Sequence, residues 1–233
     1  MEEFMTASFW LAVGQIIMID ILLGGDNAVV IALACRNLPD KQRTKGIIYG
    51  TAGAIILRVI LIAFALALLA IPYLKIVGAV LLVWIGVKLL QPEDESGHNI
   101  SSSDKLWAAV KTVIIADLVM SVDNVLAIAG AAQSANQSHQ LPLVIFGLLV
   151  SIPIIIGGSQ LVLKLMERFP AVITLGAMLL GWIAGQMAYS DPAIKPHLPE
   201  AQYWGYVVAA AGALMVLGMG KMLQMRQKPV GAP

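Results

Sequence analysis

Apolar residues run along this chain in seven blocks, near 9–35, 46–70, 72–90, 107–132, 141–164, 170–189 and 203–224. At 1.5 Å per residue, each block is long enough to cross about 30 Å of hydrocarbon as a helix. The pattern predicts an all-α, polytopic transmembrane protein with seven spans. The short joints carry helix breakers, among them Pro72, Pro142, Pro170 and the stretch "DPAIKPHLP". One long polar stretch, "QPEDESGHNISSSDK", predicts a solvated linker over about 91–106. The layout is a single transmembrane domain over 1–233, with a first unit at about 9–90, a second at about 107–189 and a last helix at about 203–224. The start, "MEEFMTASFW", carries acids where a signal peptide carries Lys or Arg, and the apolar stretch after it is too long for a cleaved segment, so it reads as a retained first span.

Composition strengthens this picture. Of 233 residues 59% are hydrophobic and 12% charged, with a mean hydropathy of +0.84, which fits a bilayer as the main partner. The net charge of +1 rules out only a chain-wide basic or acidic polyelectrolyte; no nucleic-acid partner is expected. With the N-terminus outside, the cytoplasmic joints hold twelve Lys and Arg, against Lys75 and Lys195 on the other side. The positive-inside rule therefore predicts an N-out, C-in, multi-pass protein. Cys35 has no second cysteine to pair with and, near the end of a hydrophobic block, reads as a small packing residue. The small-residue face "GAVLLVWIG" (78–86) suits either a homo-oligomer contact or packing within one chain.

An internal repeat organises the blocks. "IMIDILLGGDNAVVIA" (17–32) overlies "IIADLVMSVDNVLAIA" (114–129) at an offset of 97 residues, with six identities in sixteen that include Asp20, Asp26 and Asn27 on Asp117, Asp123 and Asn124. Gly50 then falls on Gly147, and with one extra residue "PYLKIVGAVLLVWI" (72–85) falls on "PAVITLGAMLLGWI" (170–183). Three spans separate the copies, and three is odd. The second copy must therefore enter the membrane from the opposite side, giving an inverted 3+3 repeat followed by a C-terminal helix, the symmetry that transporters use to build a midplane site.

The polar residues inside the spans are the candidate chemistry. Of fourteen acids, only Asp20, Asp26, Asp117 and Asp123 lie within spans. Each costs at least about 2.5 to 3.5 kcal/mol at the centre of a span, so a symmetric set of four requires a compensating role. On an ideal helix Asp20 and Asn27 share a face while Asp26 lies about 120° round from Asp20. Gly24 and Gly25, between them, allow either an unwound segment with freed carbonyls or close helix packing. Ser121 and Val122 stand there in the second copy. Four carboxylates and two amides form an all-oxygen set suited to Mg²⁺, Ca²⁺ or Mn²⁺. The histidines His98, His139 and His197 lie in loops, away from this set. Four ionised aspartates overcharge one divalent cation, so some are protonated or a cation assists. Arg58, in the middle of the second span, is a candidate for that cation and equally for a structural ion pair. No HExxH, Ser/His, Cys/His or P-loop pattern occurs, so an enzyme is not expected.

The paired segments "DILLGGDN" and "DLVMSVDN" at the first and fourth spans, each followed by an apolar helix and a basic or polar loop, resemble the TerC family of integral membrane proteins, within the broader LysE-type transporter superfamily. The short chain is similar to the bacterial YjbE-type subgroup. The resemblance implies divalent-metal homeostasis, most often manganese efflux across the bacterial inner membrane, and a metal site of Asp20, Asp26, Asn27, Asp117, Asp123 and Asn124. It also leaves room for a calcium or other cation transporter, and for a membrane assembly factor or complex subunit holding a structural ion. An amino-acid exporter, as elsewhere in the superfamily, fits less well, because a carboxylate-rich centre does not match an amino acid's own carboxylate.

Overall fold

The computed structural model describes residues 7–64, 71–91, 101–133, 140–198, 201 and 203–227. Among these the chain forms seven α-helices and no strand: α1 (Ala7–Cys35), α2 (Asp40–Ala63), α3 (Leu74–Leu90), α4 (Ser102–Gln133), α5 (Gln140–Arg168), α6 (Ala171–Tyr189) and α7 (Tyr203–Gln227), with a 3-10 turn at Lys195–His197. A helix stands at each of the seven expected spans. The stretches 65–70 and 92–100, assigned from sequence to the second span and the linker, lie outside the described residues. Four helices among the described residues are long and apolar enough to cross a membrane by length and composition: Asp40–Ile62, Ile145–Arg168, Ala171–Tyr189 and Tyr203–Arg226. Their outward faces carry apolar residues that water would penalise, such as Ile56 (64% exposed), Leu161 (68%), Leu175 (62%) and Met225 (73%).

Three boundaries differ from the sequence pattern, each for a local reason. The second helix starts at Asp40 rather than 46, because Pro39 precedes it with φ −54° and a polar first turn continues the helix beyond the apolar block. The linker gives up its last residues to α4. There Ser101 Oγ accepts from the Asp104 amide (3.2 Å) and donates to the Asp104 carboxylate (2.8 Å), a reciprocal cap at the helix start. Pro142 does not break a joint, since it lies within the first turn of α5, where a missing N–H costs no helical bond.

Side-chain contacts fix the direction of each helix. Along α2, Gly46 faces Leu106, Gly50 faces Val113 and Gly53 faces Ile114, so α2 and α4 run parallel. Helix α1 reverses into α2 through the turn 36–39, and Cys35, at its end, meets Gly46. Helices α1 and α4 are therefore antiparallel, which makes the repeat inverted. The pairing obeys a pseudo-two-fold: α2 packs on α4 of the other unit as extensively as α5 packs on α1, while α3 pairs with its counterpart α6. Each unit thus lends its middle helix to its partner.

Close backbone approach builds the rest. On α3, Gly78 abuts Met187 and Val119, and Gly86 abuts Val216 and the Ala177 carbonyl, so the two glycines of "GAVLLVWIG" pack within the chain, while Val80 and Trp84 face outward. Helix α7 docks on α6 with almost no side chain between them: a Cβ on Gly212 would lie 2.2 Å from the Gly181 carbonyl oxygen, and one on Gly185 would lie 2.4 Å from that of Val208. Cys35 is fully buried and unpaired, packed as expected. At one end of the bundle Asp191, also fully buried, accepts from the amides of Tyr73 (3.2 Å), Lys75 (3.2 Å) and Ala193 (2.8 Å). It thereby caps α3 and holds Tyr73 in the left-handed region, φ 63°. The other end collects the ends of α1, α3, α5 and α7 with the starts of α2 and α4, and it gathers nearly all of the Lys and Arg.

The seam predicts a contrast between two glycines of one helix. Gly212→Ala should lower the melting temperature in detergent by several degrees, since the new methyl meets backbone that cannot yield. Gly218→Ala, whose Cβ meets nothing within 4 Å, should leave it unchanged or raise it slightly.

Candidate functional site

Two polar residues from different units meet deep in the bundle. Arg58 of α2 is 2% exposed and Asp117 of α4 is 6% exposed. The guanidinium Nη2 donates to Asp117 Oδ1, and Nε donates to Ser121 Oγ at 3.2 Å. Ser121 Oγ in turn donates to Asp117 Oδ2 at 3.1 Å, closing a ring of three side chains. Sequence placed Arg58 correctly as a buried cation and did not single out Ser121, whose i+4 spacing from Asp117 on a helix was the available signal.

On α1, Asp26 is partly buried, and its carboxylate accepts from the backbone amide of Asn27 at 2.8 Å. It lies close enough to Arg58 and Asp117 to interact electrostatically with both. Asn27 is 4% exposed, and neither its Oδ1 nor its Nδ2 has a hydrogen-bond partner among the described residues. Thr51 Oγ1 of α2 is in the same condition, a residue that sequence gave no reason to select. A buried polar group without a partner costs about 1 to 3 kcal/mol, and such groups are rare except where a ligand or ion completes them.

Depth follows from the helical rise. Measured from the level of Gly46, where Cys35 and Leu106 converge, Asn27 and Asp26 lie about 12 and 14 Å in, Asp117 about 17 Å and Arg58 about 18 Å. All four therefore lie within about 6 Å of one another in level along the bundle. The side chains of Asp20, Asp123 and Asn124 lie outside what the structure describes. Of the six expected ligands the structure therefore brings Asp26, Asn27 and Asp117 into one region, and among the described residues no three acids, histidines or cysteines converge. Both motif helices run unbroken through the motif. Neither offered reading of the glycine pair holds at Gly25: its backbone stays helical, and a Cβ there would meet nothing within 4 Å.

Residues 5–228 match the Integral membrane protein TerC family. The chain belongs to the TerC family. This TerC protein is 46% identical over 176 residues to the membrane protein YjbE of Bacillus subtilis (strain 168), covering 76% of this chain and 78% of that one. It is 29% identical over 229 residues to YceF of the same organism, covering 94% and 86%. To the inner membrane protein YoaE of Escherichia coli (strain K12) it is 24% identical over 237 residues, 93% of this chain and 43% of that longer protein. No solved structure matches.

The TerC repeat is symmetric in its acids and asymmetric around them. Where α4 has Ser121, α1 has Gly24, and the positions overlying Arg58 are Ile155 and Ile156. At the sequence positions equivalent to Arg58 and Ser121, the other half therefore has neither a cation nor a hydroxyl. Arg58→Met should destabilise the protein by about 3 to 5 kcal/mol, because it leaves the Asp117 charge buried without a partner, and the double variant R58M/D117L should recover most of that loss. Thermal unfolding in detergent, run on the three proteins side by side, reads the difference.

Proposed function

We propose that the protein is a secondary transporter of hard divalent cations, with Mn²⁺ as the exported substrate, working across the bacterial inner membrane. The observation that carries this reading is the half-buried Asp26 and unpartnered Asn27 beside Asp117 and Arg58, midway through the bundle and at the junction of two inverted units. The motif offers carboxylate and amide oxygens as ligands and no histidine or cysteine, which favours Mn²⁺, Ca²⁺ or Mg²⁺ over softer metals. The proposed ligands are Asp20, Asp26, Asn27, Asp117, Asp123 and Asn124.

Arg58 gives this reading its mechanism. Four carboxylates carry too much charge for one divalent ion, and a tethered guanidinium cancels one of them in the empty state. A cation approaching Asp26 and Asn27 competes with Arg58 for Asp117, so loading the site loosens the bond between α2 and α4. The two units can then rock against each other and open the site to the other side. Aspartates that give up the cation can take up protons, which would couple export to proton entry. The concentration of Lys and Arg at one end supports an N-out, C-in orientation, with that end in the cytoplasm. The name of YoaE as an inner membrane protein agrees with the proposed location.

The test is uptake of radiolabelled Mn²⁺ into inverted membrane vesicles. Wild type should accumulate the ion, while Asp26→Asn and Asp123→Asn should each reduce the initial rate at least about tenfold, the loss expected when a metal-site group is removed. Wild-type uptake no greater than that of vesicles lacking the protein would overturn transport and leave a structural ion in a membrane assembly factor as the better reading, and equal uptake above that level by all three would overturn the assigned ligands.

A further inference from the structure

Four hydroxyl side chains are buried among the described residues, and three of them are satisfied. Ser151 and Ser159 donate back to their own helix, to the carbonyl oxygens of Leu148 and Ile155 at 2.8 Å, and Ser121 donates to Asp117 at 3.1 Å. Thr51 is the exception, 2% exposed with no partner for its Oγ1 among the described residues. A threonine inside a helix can bond a carbonyl of the preceding turn, so this hydroxyl forgoes an acceptor that its own helix offers. Valine would fill the same space without burying a polar atom. A hydroxyl kept there at a cost points to a ligand that completes it.

Its place in the bundle relates it to the motif. Ile47 of α2 and Ile31 of α1 belong to one buried apolar cluster, shared with α4 and α5 toward the basic end. Thr51 stands one turn inward of Ile47 on the same face of α2, and Asn27 one turn inward of Ile31 on the same face of α1. By helical rise Thr51 lies about 8 Å inward of the Gly46 level and Asn27 about 12 Å, with Asp26 and Asp117 following. Arg58 shares the face of Thr51 two turns further in, about 10 Å along α2, where its guanidinium is tied to Asp117. Inward of the apolar cluster, unpartnered neutral oxygens from two helices therefore precede the carboxylates.

We propose that Thr51 Oγ1 and Asn27 Oδ1 form an entry subsite, where a partly hydrated divalent cation is held on its way from the basic end to Asp26 and Asp117. A hydroxyl and an amide oxygen are hard ligands that replace part of the hydration shell of such an ion. Being neutral, they bind it weakly enough to pass it on to the carboxylates. The subsite rests on the transport reading and adds to it a residue outside the repeated motif. In the second unit the position overlying Thr51 is Leu148, so the subsite serves one side of the membrane only.

Initial rates of Mn²⁺ uptake into inverted vesicles, measured across a range of Mn²⁺ concentrations, test this on the full chain. Thr51→Val should raise the half-saturating concentration about tenfold and leave the maximal rate within about twofold, the pattern of a lost binding contact. Thr51→Ser, which keeps the hydroxyl, should stay close to wild type in both. If Thr51→Val matches wild type, or if both variants lose maximal rate alike at an unchanged half-saturating concentration, the hydroxyl does not hold the ion; the subsite is then overturned while transport stands. Wild-type uptake no greater than that of vesicles lacking the protein overturns transport and the subsite with it. Should Thr51→Val fail to reach the membrane, Thr51→Cys decides. A thiol in place of the hydroxyl should make Cd²⁺ about tenfold more potent than in wild type as an inhibitor of Mn²⁺ uptake, because sulfur prefers the softer ion. Unchanged inhibition by Cd²⁺ overturns the subsite.

Discussion

A charge in hydrocarbon is tolerable only beside its opposite, and here that requirement joins the two halves of the molecule. Arg58 belongs to the first repeat unit and Asp117 to the second, so their ion pair bridges units rather than stabilising one of them. It forms because α2 lies against α4 at glycine distance, with Gly50 and Gly53 giving way to Val113 and Ile114. The exchange of middle helices follows from the same contact. If α2 stayed within its own unit, Arg58 would be buried without a partner and Asp117 would face the same cost in the other half.

Much of this was legible in the chain. The seven blocks, the inverted repeat and the small-residue helix faces all appear in the structure, because hydropathy and glycine spacing are directly shaped by lipid and by close packing. Other features depended on distance in three dimensions. Asp191 reads as a loop acid in a proline-rich stretch, yet it is fully buried as the cap of a helix more than a hundred residues earlier. Gly24 and Gly25 left both a break and close packing open, and the helix runs unbroken through them, the cheaper state in lipid. The choice of Asp117 as Arg58's partner was likewise invisible, since four aspartates lie within spans and nothing in the sequence ranks them as its partner. Within the candidate site the sequence singled out the acids and the two asparagines, and only the structure exposed Thr51 and the lack of a partner at Asn27.

The fold is nearly two-fold, while its polar interior is not. The two units carry matching carboxylates, but an arginine and a serine stand beside one of them, with isoleucine and glycine at the equivalent places. A fully symmetric charge set would present the same electrostatic surface to both sides of the membrane. An arginine on one side of the pseudo-axis gives the interior a direction.

The seam between α6 and α7 has a mechanical consequence. Side chains that interlock can change rotamer and let helices slide, but Gly181, Gly185 and Gly212 meet backbone against backbone and have no rotamers to change. Such a joint is either kept in register or lost. Helices α6 and α7 therefore travel as a single strut, and any rearrangement of the bundle must be accommodated along the side-chain-filled contacts of α1, α2, α4 and α5.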